Sequence, residues 1–205
     1  MIYFSIIGLN DCHIDEYSPH SSSGAALITF MSYKEEIDQV FLFTTKTGDV
    51  KDQLFKDGAK INKKIMKQEN TNLECHIIEL NFIPSPIDYS IVYNEMSVKL
   101  RELINAKEIT QKEKVVNISS GTPTMTACWL LLQQSGLIKN AKLIQALPRD
   151  YQRKSKKPTQ EVDLNIKDFP QIKSTDLLKE QLNNNIVKVE KMEEHISISE
   201  IHSEF

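Results

Sequence analysis

The stretch Val115-Val116-Asn117-Ile118-Ser119-Ser120-Gly121-Thr122-Pro123-Thr124-Met125 limits what this chain can fold into more than any other. A short apolar run breaks into hydroxyl residues and a glycine, then resumes through Ala127-Cys128-Trp129-Leu130-Leu131-Leu132 as an apolar helix with a proline in its first turn. That order predicts a strand, a tight loop and a helix N-terminus. Gly121 reaches backbone angles denied to other residues, and Pro123 suits the first helical turn, where its missing N–H costs nothing. The free amides of that turn, the helix dipole and the hydroxyls of Ser119, Ser120 and Thr122 are expected to converge on one point, where an anion such as a phosphate belongs. On loop composition alone, an ordinary strand-to-helix turn is an equal alternative. The loop is neither a Walker A motif, since no Gly-Lys-Ser/Thr follows, nor a GxGxxG dinucleotide fingerprint.

The rest of the chain alternates in the same way. Ile2–Ile7 is apolar at nearly every position, predicting a central strand covered on both faces. It ends in Gly8-Leu9-Asn10-Asp11, at the strand end where open α/β sheets place ligands. Those residues are candidates for lining a pocket, with a plain turn as the equal alternative. A helix is predicted over about 25–36 and a buried strand over Val40–Phe43. After that strand comes a loop of hydroxyls, a lysine and a glycine, Thr44-Thr45-Lys46-Thr47-Gly48-Asp49. Thr47 or Asp49 can cap a lysine-rich helix running to about Lys67. Cys75–Leu80 reads as a strand nearer an edge, and Asp88 as the cap of a helix from Tyr89 to about Ile104. Beyond Gly136, Lys142–Leu147 is a strand ended by Pro148, and Glu161–Ile166 a half-exposed strand pairing with it. The pattern predicts an α/β fold: a Rossmann-like, mainly parallel sheet with helices on both faces, a C-terminal β-hairpin and a terminal helix. Phe169-Pro170 marks a boundary between a ligand-sensing domain, 1–170, and a helical extension or linker, 171–205, whose Leu178, Leu182, Ile186, Val189 and Met192 recur at helical spacing.

Length and charge narrow the function. The 205 residues suffice for one α/β domain plus an extension, and a net charge of −3 argues against a broad surface for duplex nucleic acid. Cys12, Cys75 and Cys128 lie apart, without CxxC spacing, and His13 and His20 have no partner at metal spacing. No metal or cofactor is expected. No apolar run approaches a membrane span and no basic leader precedes the first strand, so a soluble cytoplasmic protein is expected.

Asn117-Ile118-Ser119-Ser120-Gly121-Thr122-Pro123-Thr124-Met125 resembles the signature of CARF domains, the CRISPR-associated Rossmann-fold sensors of cyclic oligoadenylates. The continuation through Leu132 and the later Ala141-Lys142-Leu143-Ile144-Gln145 resemble the branch at the N-terminus of RtcR-type sigma-54 regulators of RNA repair. The resemblance, covering about residues 1–170, implies binding of cyclic tetra- or hexa-adenylate at a homodimer interface and control of a fused effector missing from this chain, in type III CRISPR antiviral signalling. The alternative it implies is the input domain of an RtcR-like activator sensing an RNA end or another nucleotide.

The ligand-binding residues on this reading are Gly8, Leu9, Asn10 and Asp11 after the first strand, Thr44, Thr45 and Lys46 after the second, and Ser119, Ser120, Gly121, Thr122, Pro123 and Met125 in the central motif. Met125 and Trp129 are read mainly as packing residues. Many family members carry lysine directly after Gly-Thr, where this chain has Pro123, so positive charge has to come from elsewhere or is missing. Arg149 opens a stretch to Lys157 with five positive charges and one negative, and it is the best single candidate for that charge. Other family members cut their ligand slowly by setting a ribose 2′-OH in line with its own 3′ phosphate. No dedicated general acid or base accompanies the Ser/Thr loop here, so catalysis is left open and is not the expected role.

Overall fold

Tyr3 and Phe4 are neighbours in the first strand and face opposite sides of the sheet, which is why that strand is apolar throughout. Phe4 packs with Phe41, Phe43 and Trp129 on one face, while Tyr3 packs with Val40, Leu42 and Phe30 on the other. Each such fully buried apolar side chain contributes about 1.5–3 kcal/mol.

The computed structural model describes residues 1–13, 24–106, 109 and 111–163. Its strands are β1 (Ile2–Ile6), β2 (Gln39–Lys46), β3 (Glu74–Asn81), β4 (Lys114–Asn117), β5 (Ala141–Ala146) and β6 (Thr159–Glu161). The helices are α1 (Ala25–Tyr33), α2 (Asp52–Glu69), α3 (Tyr89–Ala106), α4 (Pro123–Gln134) and α5 (Arg149–Ser155), with a 3-10 turn at Leu9–Asp11. The strands form one sheet in the order β3-β2-β1-β4-β5-β6. All pairs are parallel except β5 with β6. The expected Rossmann-like α/β fold is therefore present. Helices α3 and α4 cover the Phe4 face, and α1 and α2 cover the Tyr3 face.

Local signals account for the starts of α3 and α4. Asp88 Oδ1 accepts the amides of Ser90 at 2.9 Å and Ile91 at 3.1 Å, the predicted cap of α3. The start of α2 differs from expectation. Asp52, in its first turn, reaches back so that its carboxylate accepts the Thr47 amide and hydroxyl and the Gly48 amide, and it clamps the loop in place of Thr47 or Asp49.

Two other expectations shift. Thr44, Thr45 and Lys46, expected in a loop, instead extend β2, paired in register with Glu79, Leu80 and Asn81 of β3. The basic stretch, assigned to no element from sequence, opens as helix α5. Pro148 at its N-cap presets the backbone, Asp150 sits in the first turn, and Arg153 and Lys154 in the last turn complement the helix dipole. The antiparallel partner of β5 is Thr159–Glu161, earlier than Glu161–Ile166. The Leu147 amide donates to the Pro158 carbonyl and the Val162 amide to the Leu143 carbonyl, which sets that register. Residues 164–205, with the predicted terminal helix, lie outside the described residues, as does His20.

Candidate functional site

Between β1 and β4 the strand order reverses, so the connections leaving their C-terminal ends run to opposite faces and a crevice opens between them. The loop after β4 is shaped by Asn117, which is fully buried. Its Nδ2 donates to the hydroxyls of Ser5 at 3.0 Å and Ser120 at 2.8 Å, and its Oδ1 accepts the Ser119 amide at 3.0 Å. The chain then turns at Gly121, whose φ of +92° is in the region that favours glycine. Thr122 caps α4, accepting the Met125 amide on Oγ1 at 3.3 Å, and Pro123 takes the first helical position.

Across the crevice, the loop after β1 is held by Asp11. Its carboxylate accepts the amides of Gly8 at 2.8 Å and Ala26 at 2.9 Å, and the side chain is 1% exposed. Burial pushes this carboxyl above its ordinary range, and the Ala26 and Gly8 amides and the Ser120 hydroxyl offset part of that. Asn62 of α2 donates to the Asp11 carbonyl at 2.7 Å. Gly24 has no room for a side chain, since a Cβ there would lie 2.7 Å from Asp11 Cα.

These loops enclose a cleft of about 740 Å³, within the usual range for small-molecule sites. Of the residues expected from sequence, Gly8, Leu9, Asn10, Asp11, Ser119, Ser120 and Gly121 are brought together on its walls. A second, smaller pocket of about 290 Å³ adjoins it, sharing Gly8, Leu9 and Gly121 and adding Thr45, Thr122 and Met125. Thr44, Lys46 and Pro123 line neither. Thr44 is buried and its hydroxyl faces the Ile78 carbonyl at 3.5 Å, while Lys46 is exposed at the end of β2. Arg149 begins α5 directly after Pro148, a wall residue of the cleft.

Sequence reasoning missed Ala25 and Ile28 of α1 and the end of β5, Ala146–Pro148, all on the cleft wall. It also missed Thr47, Asp49, Lys51, Phe55 and Pro86 in the smaller pocket. For the β5 end a signal existed, since it too is the C-terminal end of a strand beside β4; for the others, only the folded arrangement brings them there.

The loop hydroxyls do not converge freely. Ser119 Oγ accepts the Ala146 amide at 2.8 Å, Ser120 Oγ is held by Asn117, and Thr122 Oγ1 donates to the Pro86 carbonyl at 3.3 Å. The amides of Ser120 and Gly121, by contrast, have no hydrogen-bond partner among the described residues. Backbone donors next to a helix N-terminus favour an anionic guest. Among the described residues no group of three or more His, Cys, Asp or Glu side chains is arranged to hold a metal ion, and no helix is long and apolar enough to cross a membrane.

A family model described as RtcR, Regulator of RNA terminal phosphate cyclase, matches residues 33–189. The chain belongs to the RtcR family. The RtcR-family match spans β2 to β6 and so includes the central motif and two of the three loops around the cleft. Among solved structures, the chain is similar to Enterococcus italicus Csm6 bound to cyclic hexa-2′-fluoro-hexa-dAMP, with a TM-score of 0.60 and 20% identity over 80% of this chain and 42% of that one. A further match is Can2 from Sulfobacillus thermosulfidooxidans in complex with cyclic tetra-adenylate, with a TM-score of 0.38 and 13% identity over 72% of this chain and 32% of that one. The RtcR-family chain thus spans under half the length of either protein. No curated protein matches it. The Csm6 likeness is one of fold, and with the RtcR-family match it identifies the described residues as a CARF domain.

Proposed function

We propose that this CARF domain is a sensor that binds a cyclic oligoadenylate in the switch-point cleft, as a homodimer, and allosterically controls an effector domain in type III CRISPR antiviral signalling. The observation that carries the reading is the cleft itself, where the loops after β1, β4 and β5 meet around the Ser120 and Gly121 amides, which have no partner among the described residues. Support comes from the fold of a protein solved with a cyclic hexanucleotide bound.

A ring of repeated nucleotides has rotational symmetry, and two copies of one cleft meeting at a two-fold axis match it with least machinery. Binding energy that differs between two arrangements of the subunits is what would transmit the signal. Csm6 is more than twice as long as the stretch this chain matches, which agrees with a sensing module attached to other domains. The reading puts the protein in the cytoplasm, and it assigns no catalytic residue.

The RtcR-family match favours a second reading, in which the domain is the input module of a sigma-54 transcriptional activator and its ligand is an RNA end or another nucleotide. Calorimetry with cyclic tetra-adenylate, cyclic hexa-adenylate, a linear RNA ending in a 2′,3′-cyclic phosphate, and ATP separates the two. Binding of a cyclic oligoadenylate alone supports the first reading, and binding of the linear RNA alone supports the second. Asn10 is exposed on the cleft wall, so Asn10→Glu should fold normally and set a carboxylate against the anionic guest. An affinity loss of about tenfold or more is expected, with no change in melting temperature. Unaltered affinity in that variant would place the ligand elsewhere.

A further inference from the structure

The described residues on the wall of the larger cleft supply little positive charge for an anionic guest. Among the described residues on its wall none is a lysine or arginine, the only basic side chain is that of His13, and Asp11 is a buried acid. Backbone amides alone orient a phosphodiester, but close approach of its charge calls for a cation.

The smaller pocket supplies one. It opens beside Gly121 and Thr122 and is walled by Phe55, Met125 and Pro86, with Lys51 among its lining residues. Lys51 sits at the N-cap of α2 and is exposed. The other lysines of this region are differently placed: Lys56 is paired with Glu79, and Lys46 lines neither pocket. The Lys51 ammonium has no ion-pair or hydrogen-bond partner among the described residues.

Its loop is nevertheless fixed. The Asp52 carboxylate binds Thr47 and Gly48, and Asp49 Oδ1 accepts the Lys51 amide at 2.9 Å. Asp49 is the one carboxylate on this pocket's wall among the described residues, and that bond occupies one of its oxygens.

We infer that Lys51 is a phosphate-binding cation of the site, reaching the guest from the smaller pocket, which takes the part of the guest that overhangs the shared wall of Gly8, Leu9 and Gly121. The sequence points elsewhere for this charge, to Lys46 and Arg149. Lys51 is selected because the fold sets the β2–α2 loop on the wall of the same pocket as the Gly121–Thr122 turn. At about 290 Å³ the smaller pocket is at the lower limit of small-molecule sites, large enough for a fragment of a nucleotide chain and too small for a ring.

The inference rests on the nucleotide-binding reading above. Its test titrates the whole chain with cyclic tetra-adenylate, cyclic hexa-adenylate and the linear 2′,3′-cyclic phosphate RNA, between about 50 and 200 mM salt. Wild type, Lys51→Ala and Lys51→Arg are compared, with melting curves to show that each is folded. Lys51→Ala should bind about tenfold more weakly, and its log affinity should fall less steeply with log salt, by about 0.7 for each phosphate that is no longer neutralised. Lys51→Arg should keep the wild-type slope. If wild type binds any of these probes and Lys51→Ala matches it in affinity and slope, the assignment of Lys51 is overturned while the nucleotide-binding reading stands. If wild type binds none of the three probes, that reading fails and this inference with it.

Discussion

Gly8 and Gly121 meet backbone against backbone: a Cβ on Gly8 would lie 2.8 Å from the Gly121 amide nitrogen. Two of the loops that frame the cleft, those after β1 and β4, therefore touch where neither has a side chain, and this close approach leaves the Gly121 N–H near the shared wall of both pockets.

Gly8→Ala is the direct test of that approach. The Gly8 backbone, at φ −95°, accepts an alanine without strain, so any cost is overpacking against the Gly121 turn. A loss of about 1–3 kcal/mol is expected in urea unfolding, together with weaker ligand binding. Wild-type stability in this variant would mean that the loops are further apart than described.

Asn117→Ala should disassemble the turn. It removes three hydrogen bonds, leaving the buried Ser120 hydroxyl short of a partner and the Ser119 amide unpaired. An unsatisfied buried group costs about 1–3 kcal/mol, and the change should appear both as lost stability and as lost hydrogen-exchange protection at Ser119. A change below about 0.5 kcal/mol, the range of ordinary surface substitutions, would contradict the role given to Asn117.

Asp11 should impose a pH dependence. Its folded carboxyl titrates above the ordinary 3.8 because burial disfavours the anion. Folding therefore binds the proton more tightly; the gain is complete below the unfolded value and is lost as pH rises through the folded one. Compared with Asp11→Asn, which does not titrate, wild type should gain stability as pH is lowered from neutrality toward that value. Urea unfolding at stepped pH measures the difference, and a flat or opposite trend would show that the amide bonds outweigh burial.

The thiols should be inert in the folded protein. Cys12, Cys75 and Cys128 are buried, and burial pushes each up to about 11. At about pH 8 the thiolate that reacts with a disulfide reagent is scarce and shielded. All three are expected to label in urea and none without it; rapid labelling of native protein would show an opening of the domain.

Much of this protein is written in short stretches of its chain. Strand and helix order follow from apolar runs, from Asp88 as a cap and from Pro123 and Gly121 around a turn, because propensity, capping and backbone sterics act within a few residues. The resemblance carried by Asn117–Met125 points to the CARF fold for the same reason: bonds within the stretch, from Asn117 to Ser119 and Ser120 and from Met125 to Thr122, shape its turn.

What the chain does not reveal involves partners distant in sequence. Thr44 and Lys46 have the character of loop residues, and only the pairing of β3 with β2 along its whole length makes them strand. Ser119 reads as free until β5 brings the Ala146 amide to its hydroxyl, and Lys51 is one lysine among many until the fold sets it beside Gly121. Sequence by itself determined the elements, their order and the turn at the switch point. Only the tertiary structure decided which polar groups face the cleft and which hold the protein together, because a hydroxyl, amide or ammonium acquires its role from whatever the fold places within about 3 Å of it.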